Sequence, residues 1–332
     1  MLESLLDPKH AIKNPLEVFV VASLFTTISI LFSYFLFPDH SSVLICAYIT
    51  LLFSPFFQRL FATEEAKEEY AIKHRIRIAN VFQRHADVIE IFSFFFLGVI
   101  ITSSIFAVFL PEPIKFVVFK KQIEELHRIA SLATSGKFLS FEGFARSATF
   151  IELEKAKMIF FNNLLVLLIS FISSLLFSTG AILILSWNAS IIATYVAAYV
   201  ETIAAKGSEL TIAYLIGMPS ALLAITLHGI PEIIGYFFAG LAGGILSCGL
   251  VKERLCASEM KIIFFDSLLL LSFGIFSIFF GAFIETSDIL LSSIGFISYL
   301  IFLLTLLKKG EFSHEMTWNK SSEDIIEKIS EI

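Results

Sequence analysis

The sequence predicts an all-α, polytopic helical membrane protein with about eight transmembrane helices plus a re-entrant helix. Hydrophobic residues make up 57% of the 332 positions, charged residues only 16%, and the mean hydropathy is +0.84. Apolar runs of about 17–25 residues recur along the chain, which is the length that crosses a bilayer core as a helix. These observations exclude an ordinary soluble globular protein and make the lipid bilayer the first expected partner.

Charge and cysteine usage exclude several other classes. The net charge of −6 comes with no basic field, so no nucleic-acid partner is expected. Cys46, Cys248 and Cys256 lie at spacings that fit neither a disulfide framework nor a metal site. The first fourteen residues are mixed polar and lack the pattern of a signal peptide. We expect neither a metal nor another cofactor.

Residues 1–61 predict an N-terminal transmembrane hairpin, with spans at 17–37 and 42–61 joined by a tight polar turn. The charged segment 62–90 follows and predicts a separate helix in water or on the membrane surface. Thr63 is placed to cap this helix, and the acidic residues after it suit a helix N-terminus.

Residues 91–307 form the predicted membrane core, which a polar helical insertion at 111–157 interrupts. A third span at 91–110 leads into the insertion. Apolar residues at helical spacing predict one amphipathic helix inside it: Phe119, Ile123, Leu126, Ile129 and Leu132. Ser135-Gly136 is expected to end that helix, and 141–157 to form a second short one.

The remainder of the core is almost continuously apolar, and its polar and proline interruptions divide it. The predicted segments are 160–186, 188–204, 210–227, 233–250, 262–283 and 289–307. The segment 188–204 is short and carries Glu201 near its end, so we expect it to re-enter the membrane rather than cross it. Pro219 is expected to kink the helix that contains it.

The positive-inside rule orients these spans. The linker 251–261 and the charged tail 308–332 share one side because two spans separate them, and their basic residues place that side in the cytoplasm. Both termini of this multi-pass cell-membrane protein are therefore expected in the cytoplasm, which leaves 111–157 outside despite its eight lysines and arginines. The tail also predicts a one-sided helix of four isoleucines, which docks on the protein itself, on the membrane or on a partner.

The most unusual stretch of the sequence contains His228 and Glu232 with a glycine and a proline between them. This pattern predicts a helix break between two spans, with both ionisable side chains beside the break. Glu232 would begin one span and Glu285 would end the next, which places both at the same membrane face. Asp266 would lie toward the opposite face.

Two interpretations of this junction stay open. In the first, His228 caps the preceding helix and Glu232 complements the dipole of the following one. In the second, His228, Glu232 and Glu285 form a site for a proton or a cation, because an ionisable residue at membrane depth needs a partner or a function.

Other polar and small residues in the apolar segments predict contacts between helices. Polar side chains are expected to hydrogen-bond across helices or to backbone freed at helix breaks: Asn162, Asn163, Asn188, Glu201 and Asp266. Small residues predict close helix packing, within the chain or between copies in a homo-oligomer: Gly240, Gly243 and Gly244.

Several motifs taken together are similar to one known family: Phe96-Leu97-Gly98-Val99-Ile100-Ile101, Leu110-Pro111-Glu112, Ile159-Phe160-Phe161-Asn162-Asn163-Leu164, Asn188, His228-Gly229-x-x-Glu232, Ala239-Gly240-Leu241-Ala242-Gly243-Gly244, Asp266 and Gly281-Ala282-Phe283-Ile284-Glu285. Over residues 90–290 the sequence thus resembles the stage II sporulation protein M family, in its longer archaeal type. Ala189 stands where the resemblance leads us to expect glycine. The resemblance implies an integral membrane protein without an established enzymatic activity, and the bacterial sporulation member looks like a scaffold that recruits cell-wall hydrolases.

We therefore expect a non-enzymatic integral membrane scaffold that organises partner proteins in membrane or envelope remodelling, through 111–157 and the C-terminal tail. The alternative is a transporter or channel component that uses His228, Glu232 and Glu285 as a proton or ion site. The sequence contains no HExxH, P-loop or GxSxG motif, so we do not expect an enzyme.

Overall fold

The computed structural model describes residues 6–73, 81–138, 148–252, 258–287 and 289–308. Within these ranges the regular structure is helical, and a single 3₁₀ turn at Pro38–His40 joins the first two long helices. The α-helices are α1 Pro8–Lys13, α2 Leu16–Leu36, α3 Ser41–Lys73, α4 Val81–Arg84, α5 Ala86–Phe109, α6 Glu112–Val118, α7 Lys120–Phe138, α8 Ala148–Phe177, α9 Gly180–Ala204, α10 Leu210–Lys252, α11 Ser258–Thr286 and α12 Ile289–Leu307.

Eight of the helices in the described ranges are long and apolar enough to cross a membrane. They contain the segments Leu16–Leu36, Pro38–Ala66, Ala86–Phe109, Leu153–Phe177, Gly180–Ala204, Leu210–Val251, Met260–Thr286 and Leu290–Leu307. The predicted all-α, multi-pass architecture with eight spans is therefore confirmed. The side of the membrane on which each terminus lies stays a prediction.

The N-terminal hairpin lies where the sequence predicts it, but its second helix is longer. Helix α3 continues from Ser41 to Lys73 without interruption, so the predicted separate surface helix over 62–90 is wrong for its first part. Thr63 does not cap a helix, since its hydroxyl donates to the backbone carbonyl of Arg59 one turn earlier in α3. The two acidic residues that follow, Glu64 and Glu65, are fully buried.

The predicted division between 160–186 and 188–204 is also wrong. Helix α8 ends at Phe177, and α9 begins at Gly180 and runs for 25 residues, which is long enough to span a bilayer rather than re-enter it. Ser178 makes the turn with φ of 59°, a left-handed conformation that non-glycine residues rarely adopt. Asn188 therefore lies inside α9, where its side-chain amide donates to the carbonyl of Ile184.

Helix α10 shows the largest departure from the sequence prediction. It extends over 43 residues, from Leu210 to Lys252, and contains both Pro219 and Pro231. At 1.5 Å per residue it is about 64 Å long. The predicted helix break at His228 and Glu232 does not exist, so His228 caps no helix and Glu232 lies in no first turn. Prolines are tolerated in membrane helices where neighbouring groups satisfy the freed backbone.

Helices α10 and α11 form an antiparallel hairpin at the centre of the molecule. A side chain added at Gly235 would place its Cβ 2.9 Å from the carbonyl oxygen of Gly274, so the two backbones touch here. Gly240 faces Ala181 of α9 and Gly244 faces the ring of Phe61 of α3, each with room for no Cβ. The predicted glycine packing is thus intrachain.

A layer of phenylalanine rings joins the N-terminal hairpin to this centre. Phe57 of α3 stacks on Phe92 of α5 with ring centroids 5.2 Å apart, and Phe92 stacks on Phe237 of α10 at 5.4 Å. All three rings are buried. The N-terminal hairpin and the core therefore share one hydrophobic interior.

The polar insertion contains the predicted amphipathic helix as α7, preceded by the short helix α6. Helix α7 does not end at Ser135-Gly136 but continues to Phe138. The second predicted helix begins at Ala148 and is continuous with the span of α8, while 141–147 lie outside the described residues. Of the predicted tail, 308–332, residues 309–332 also lie outside them.

Candidate functional site

The pairing of α10 with α11 brings His228, Glu232 and Glu285 together, a convergence that the sequence left open. Gly281 lies one turn before Glu285, directly opposite Glu232. A Cβ at Gly281 would lie 2.8 Å from Cγ of Glu232 and 3.1 Å from the carbonyl oxygen of His228. The absence of a side chain at Gly281 therefore creates the space that the Glu232 side chain fills.

Glu232 is the innermost member of this cluster. Its Oε1 atom is inaccessible and has no hydrogen-bond partner among the residues that the structure describes. The side-chain amide of Asn163, which is buried in α8, interacts with the same carboxyl group. The ring of Tyr236, one turn further along α10, is buried beside both carboxylates. A carboxylate so placed has lost water without gaining a full set of hydrogen bonds, which is costly in an apolar interior.

Glu285 acts electrostatically on both partners, attracting a protonated His228 and repelling an ionised Glu232. It lies in the last turn of α11, where the negative end of the helix dipole also disfavours an anion. One basic residue, Lys155 near the start of α8, is close enough to His228 to act on it. Three helices, α8, α10 and α11, thus contribute charged side chains to one region.

A line of polar side chains leads from this cluster to helix α7. Asn162 donates to the side-chain oxygen of Asn163 at 3.4 Å, and Arg128 of α7 donates to Asn162 at 3.2 Å. Arg128 also donates two hydrogen bonds to Glu125, at 2.6 and 2.8 Å. The Arg128 and Glu125 side chains are partly exposed, so the line runs from the surface of the protein to the buried carboxyl group of Glu232.

Sequence reasoning missed four residues of this site: Gly281 as the space for Glu232, and Lys155, Arg128 and Tyr236 as neighbours. The contacts of Arg128 and Lys155 depend on where α7 and the start of α8 fold back, and no local signal gives that. Gly281 had only a local signal, because it lies four residues before Glu285 and therefore on the same face of its helix.

The remaining predicted polar residues lie outside the cluster. Asp266 pairs with Arg84 at 2.6 Å, at the other end of α11 from Glu285, as predicted for the opposite face. Glu201 forms an ion pair with Lys115 of α6 at the end of α9. A second buried pair that the sequence did not suggest joins His85 to Glu64 at 2.9 Å.

No arrangement of three or more His, Cys, Asp or Glu side chains in the described ranges is suited to hold a metal ion. Cys46 and Cys248 form no disulfide.

Comparison with known proteins identifies the family. Residues 91–287 match the family described as stage II sporulation protein M. The chain belongs to this family. The match begins within α5 and ends after α11, so the stage II sporulation protein M region contains the whole cluster and α7, whereas the N-terminal hairpin and α12 lie outside it. Searches of curated proteins and of solved structures returned no match.

Proposed function

We propose that this protein is a non-enzymatic integral membrane scaffold that organises partner proteins during membrane or envelope remodelling, with α7 as a docking surface. The observation that supports this proposal is the rigid attachment of a charged helix to the core. A docking surface that is held in place binds with a smaller loss of conformational entropy than a mobile loop does.

Three contacts fix the insertion on the core. The side-chain amide of Gln122 is fully buried and donates to the backbone carbonyl of Ser42 at 2.7 Å. Lys115 pairs with Glu201, and Arg128 donates to Asn162. Together they attach α6 and α7 to α3, α9 and α8.

The side of α7 that faces away from Gln122 is charged and exposed. Lys121 and Glu124 pair at 2.6 Å with about half of each side chain in solvent (52% and 49%). Such surface pairs contribute little to folding stability. Their arrangement is therefore free to serve recognition, where complementary charge sets the choice of partner.

The experiment is affinity purification of the full-length protein from native membranes, with mass spectrometry of the proteins that co-elute. The informative variant exchanges the charges of the α7 pair, Lys121→Glu with Glu124→Lys, which keeps the net charge. The matched control exchanges Lys157 and Glu154 of α8, which form an equally exposed pair with the same spacing. We expect a stoichiometric partner that the α7 exchange removes and the α8 exchange retains. Retention of the partner in both variants would overturn α7 as the docking surface, and a protein that elutes alone would overturn the scaffold proposal.

A second candidate function is favoured by the convergence of His228, Glu232 and Glu285. Two half-buried carboxylates lie close enough to repel each other, and the inaccessible Oε1 of Glu232 lacks a hydrogen-bond partner in the described part of the chain. A bound proton or monovalent cation would relieve both the repulsion and the desolvation. In this proposal the protein is a transporter or channel component, and the cluster lies on the path of the ion.

This candidate is tested by proton and sodium flux into proteoliposomes. We expect Glu232→Gln and Glu285→Gln to abolish a flux that the wild type supports. Glu201→Gln is the control, since Glu201 lies in a span helix but pairs with Lys115 outside the cluster. A flux that survives both cluster variants, or no flux above empty vesicles, would exclude this function and leave the scaffold proposal untouched.

A further inference from the structure

We propose that the protein binds an anionic membrane lipid in a groove where the ends of α8, α10 and α11 meet. The groove has a volume of about 360 Å³, within the range of small-molecule sites. Its lining is apolar, with Leu246, Leu250 and Phe264 among the contributing side chains, except for Lys261. The inference does not depend on the proposed function, because the groove lies at the other end of the α10–α11 hairpin from Glu232.

The position of the groove along the hairpin matches the edge of a bilayer. Leu250 lies in the last turn of α10, and Lys261 lies in the first turn of α11. Lysine is typical of the boundary where a membrane helix leaves the hydrocarbon, and its ammonium group attracts the phosphate of a lipid headgroup. The N-terminal end of α11 adds a favourable dipole for an anion at the same level.

The charge of Lys261 is available for a ligand. It forms no ion pair or hydrogen bond with another described residue, in contrast to Lys115, Lys121 and Lys157. Directly beside it, the rings of Phe264 and Phe265 are 49% and 64% exposed. One cation above an apolar groove is complementary to a molecule with one anionic end and one hydrocarbon end. A free phosphate would leave the apolar groove empty, so we commit to a lipid.

A matched lysine lies on the same side of the membrane. Two spans, α11 and α12, separate Lys261 from Lys308, so both residues occupy the same membrane side. Lys308 follows the end of α12, is exposed, and does not line the groove. General attraction of anionic lipids to the protein surface would involve Lys261 and Lys308 equally, whereas a built site requires Lys261 alone.

The experiment is native mass spectrometry of the purified full-length protein in detergent, with phosphatidylglycerol and phosphatidylcholine of identical acyl chains. We expect the wild type to retain one phosphatidylglycerol with about a fivefold preference, the factor that corresponds to about 1 kcal/mol for one lysine near a membrane surface. Lys261→Gln should lose this preference, and Lys261→Arg and Lys308→Gln should keep it. Leu250→Trp, which fills the groove, should lower the occupancy of both lipids.

Two results would overturn the proposal. One is an equal loss of preference in Lys261→Gln and Lys308→Gln, which would indicate only general surface attraction. The other is full displacement of the lipid by inorganic phosphate, which would indicate an anion site without a role for the hydrocarbon chain. Thermal unfolding of each variant confirms that the fold is retained, and Lys261→Arg tests the charge in a variant of similar size.

Discussion

The acidic side chains at the two ends of the α10–α11 hairpin have different kinds of partner. At the end where α11 begins, Asp266 faces the guanidinium of Arg84 and the neighbouring Glu64 faces His85, each at hydrogen-bonding distance. At the end where α11 finishes, Glu232 faces a second carboxylate, Glu285. The chain thus pairs these acids with basic side chains at one end and places two acids beside each other at the other.

This difference has consequences for stability. A buried pair tolerates its loss of water only when partner and geometry are good, and removing one member costs far more than the pair contributes. A buried carboxylate beside another carboxylate gains nothing for stability.

The largest expected effect comes from breaking the paired end. Arg84→Met should leave the Asp266 carboxylate without its guanidinium and destabilise the protein by about 3 kcal/mol, because the Arg84 side chain is only 9% exposed. Arg128→Met, in the exposed pair with Glu125, should cost less than about 1 kcal/mol. Thermal unfolding in detergent measures both. Equal losses would show that Arg84 and Asp266 are no more important than a surface pair.

The space at the unpaired end is tested by two glycine substitutions. Gly281→Ala would force a Cβ to within 2.8 Å of Glu232 Cγ and should cost about 1–3 kcal/mol. Gly229→Ala, one residue after His228, meets nothing closer than 4.0 Å and should be neutral or stabilising by up to about 1 kcal/mol. The difference between their unfolding midpoints separates the effect of the contact with Glu232 from the effect of helix propensity. A harmless Gly281→Ala would contradict the packing described.

Neutralising one acid at each end should lower the stability of the protein at the paired end and not at the other. Asp266→Asn should destabilise the protein, because it removes the charge that Arg84 binds. Glu232→Gln should leave stability unchanged or raise it by about 1 kcal/mol, since it removes repulsion by Glu285 and adds an amide donor. Comparison of their unfolding midpoints checks this. Destabilisation by Glu232→Gln similar to that of Asp266→Asn would mean that Glu232 is a structural acid too.

Length and hydropathy predicted the number of spans but not their division, because 188–204 belongs to the full span of α9 while 210–227 and 233–250 belong to the single helix α10. The sequence also placed Glu232 and Glu285 toward one membrane face and Asp266 toward the other, since this follows from counting spans between residues, but it left open whether His228, Glu232 and Glu285 converge. None of these inferences required the exact helix ends. They survived even though two boundaries within the core were wrong.

The boundaries were wrong for a physical reason. Proline and glycine, as at Pro231 and Gly229, often end helices in water. Helix α10 continues through both residues, because in an apolar interior the backbone N–H and C=O groups have no water to bond with and are satisfied only within the helix. The turn at Ser178, by contrast, interrupts an apolar run without a proline and was therefore missed. The contacts of Arg128 and Lys155 with the cluster arise from tertiary packing, which a single sequence does not encode locally.

The smallest expected effect concerns the exposed pair on α7, which provides the reference against which the buried pairs are judged. The hydrogen bonds from Arg128 lower the pKa of the Glu125 carboxyl group below its ordinary value. A group whose pKa is lower in the folded state adds stability above its unfolded pKa of about 4.3, and this stability disappears as the pH falls through the folded pKa. Because both side chains are partly exposed, the contribution should stay below about 1 kcal/mol.

Hydrogen exchange of α7 amides, corrected for intrinsic rates, should therefore increase slightly below pH 4 in the wild type and lose this dependence in Arg128→Gln. An acid response of α7 that persists in Arg128→Gln would assign it to another carboxylate, such as Glu124, whose pKa the hydrogen bond from Lys121 lowers.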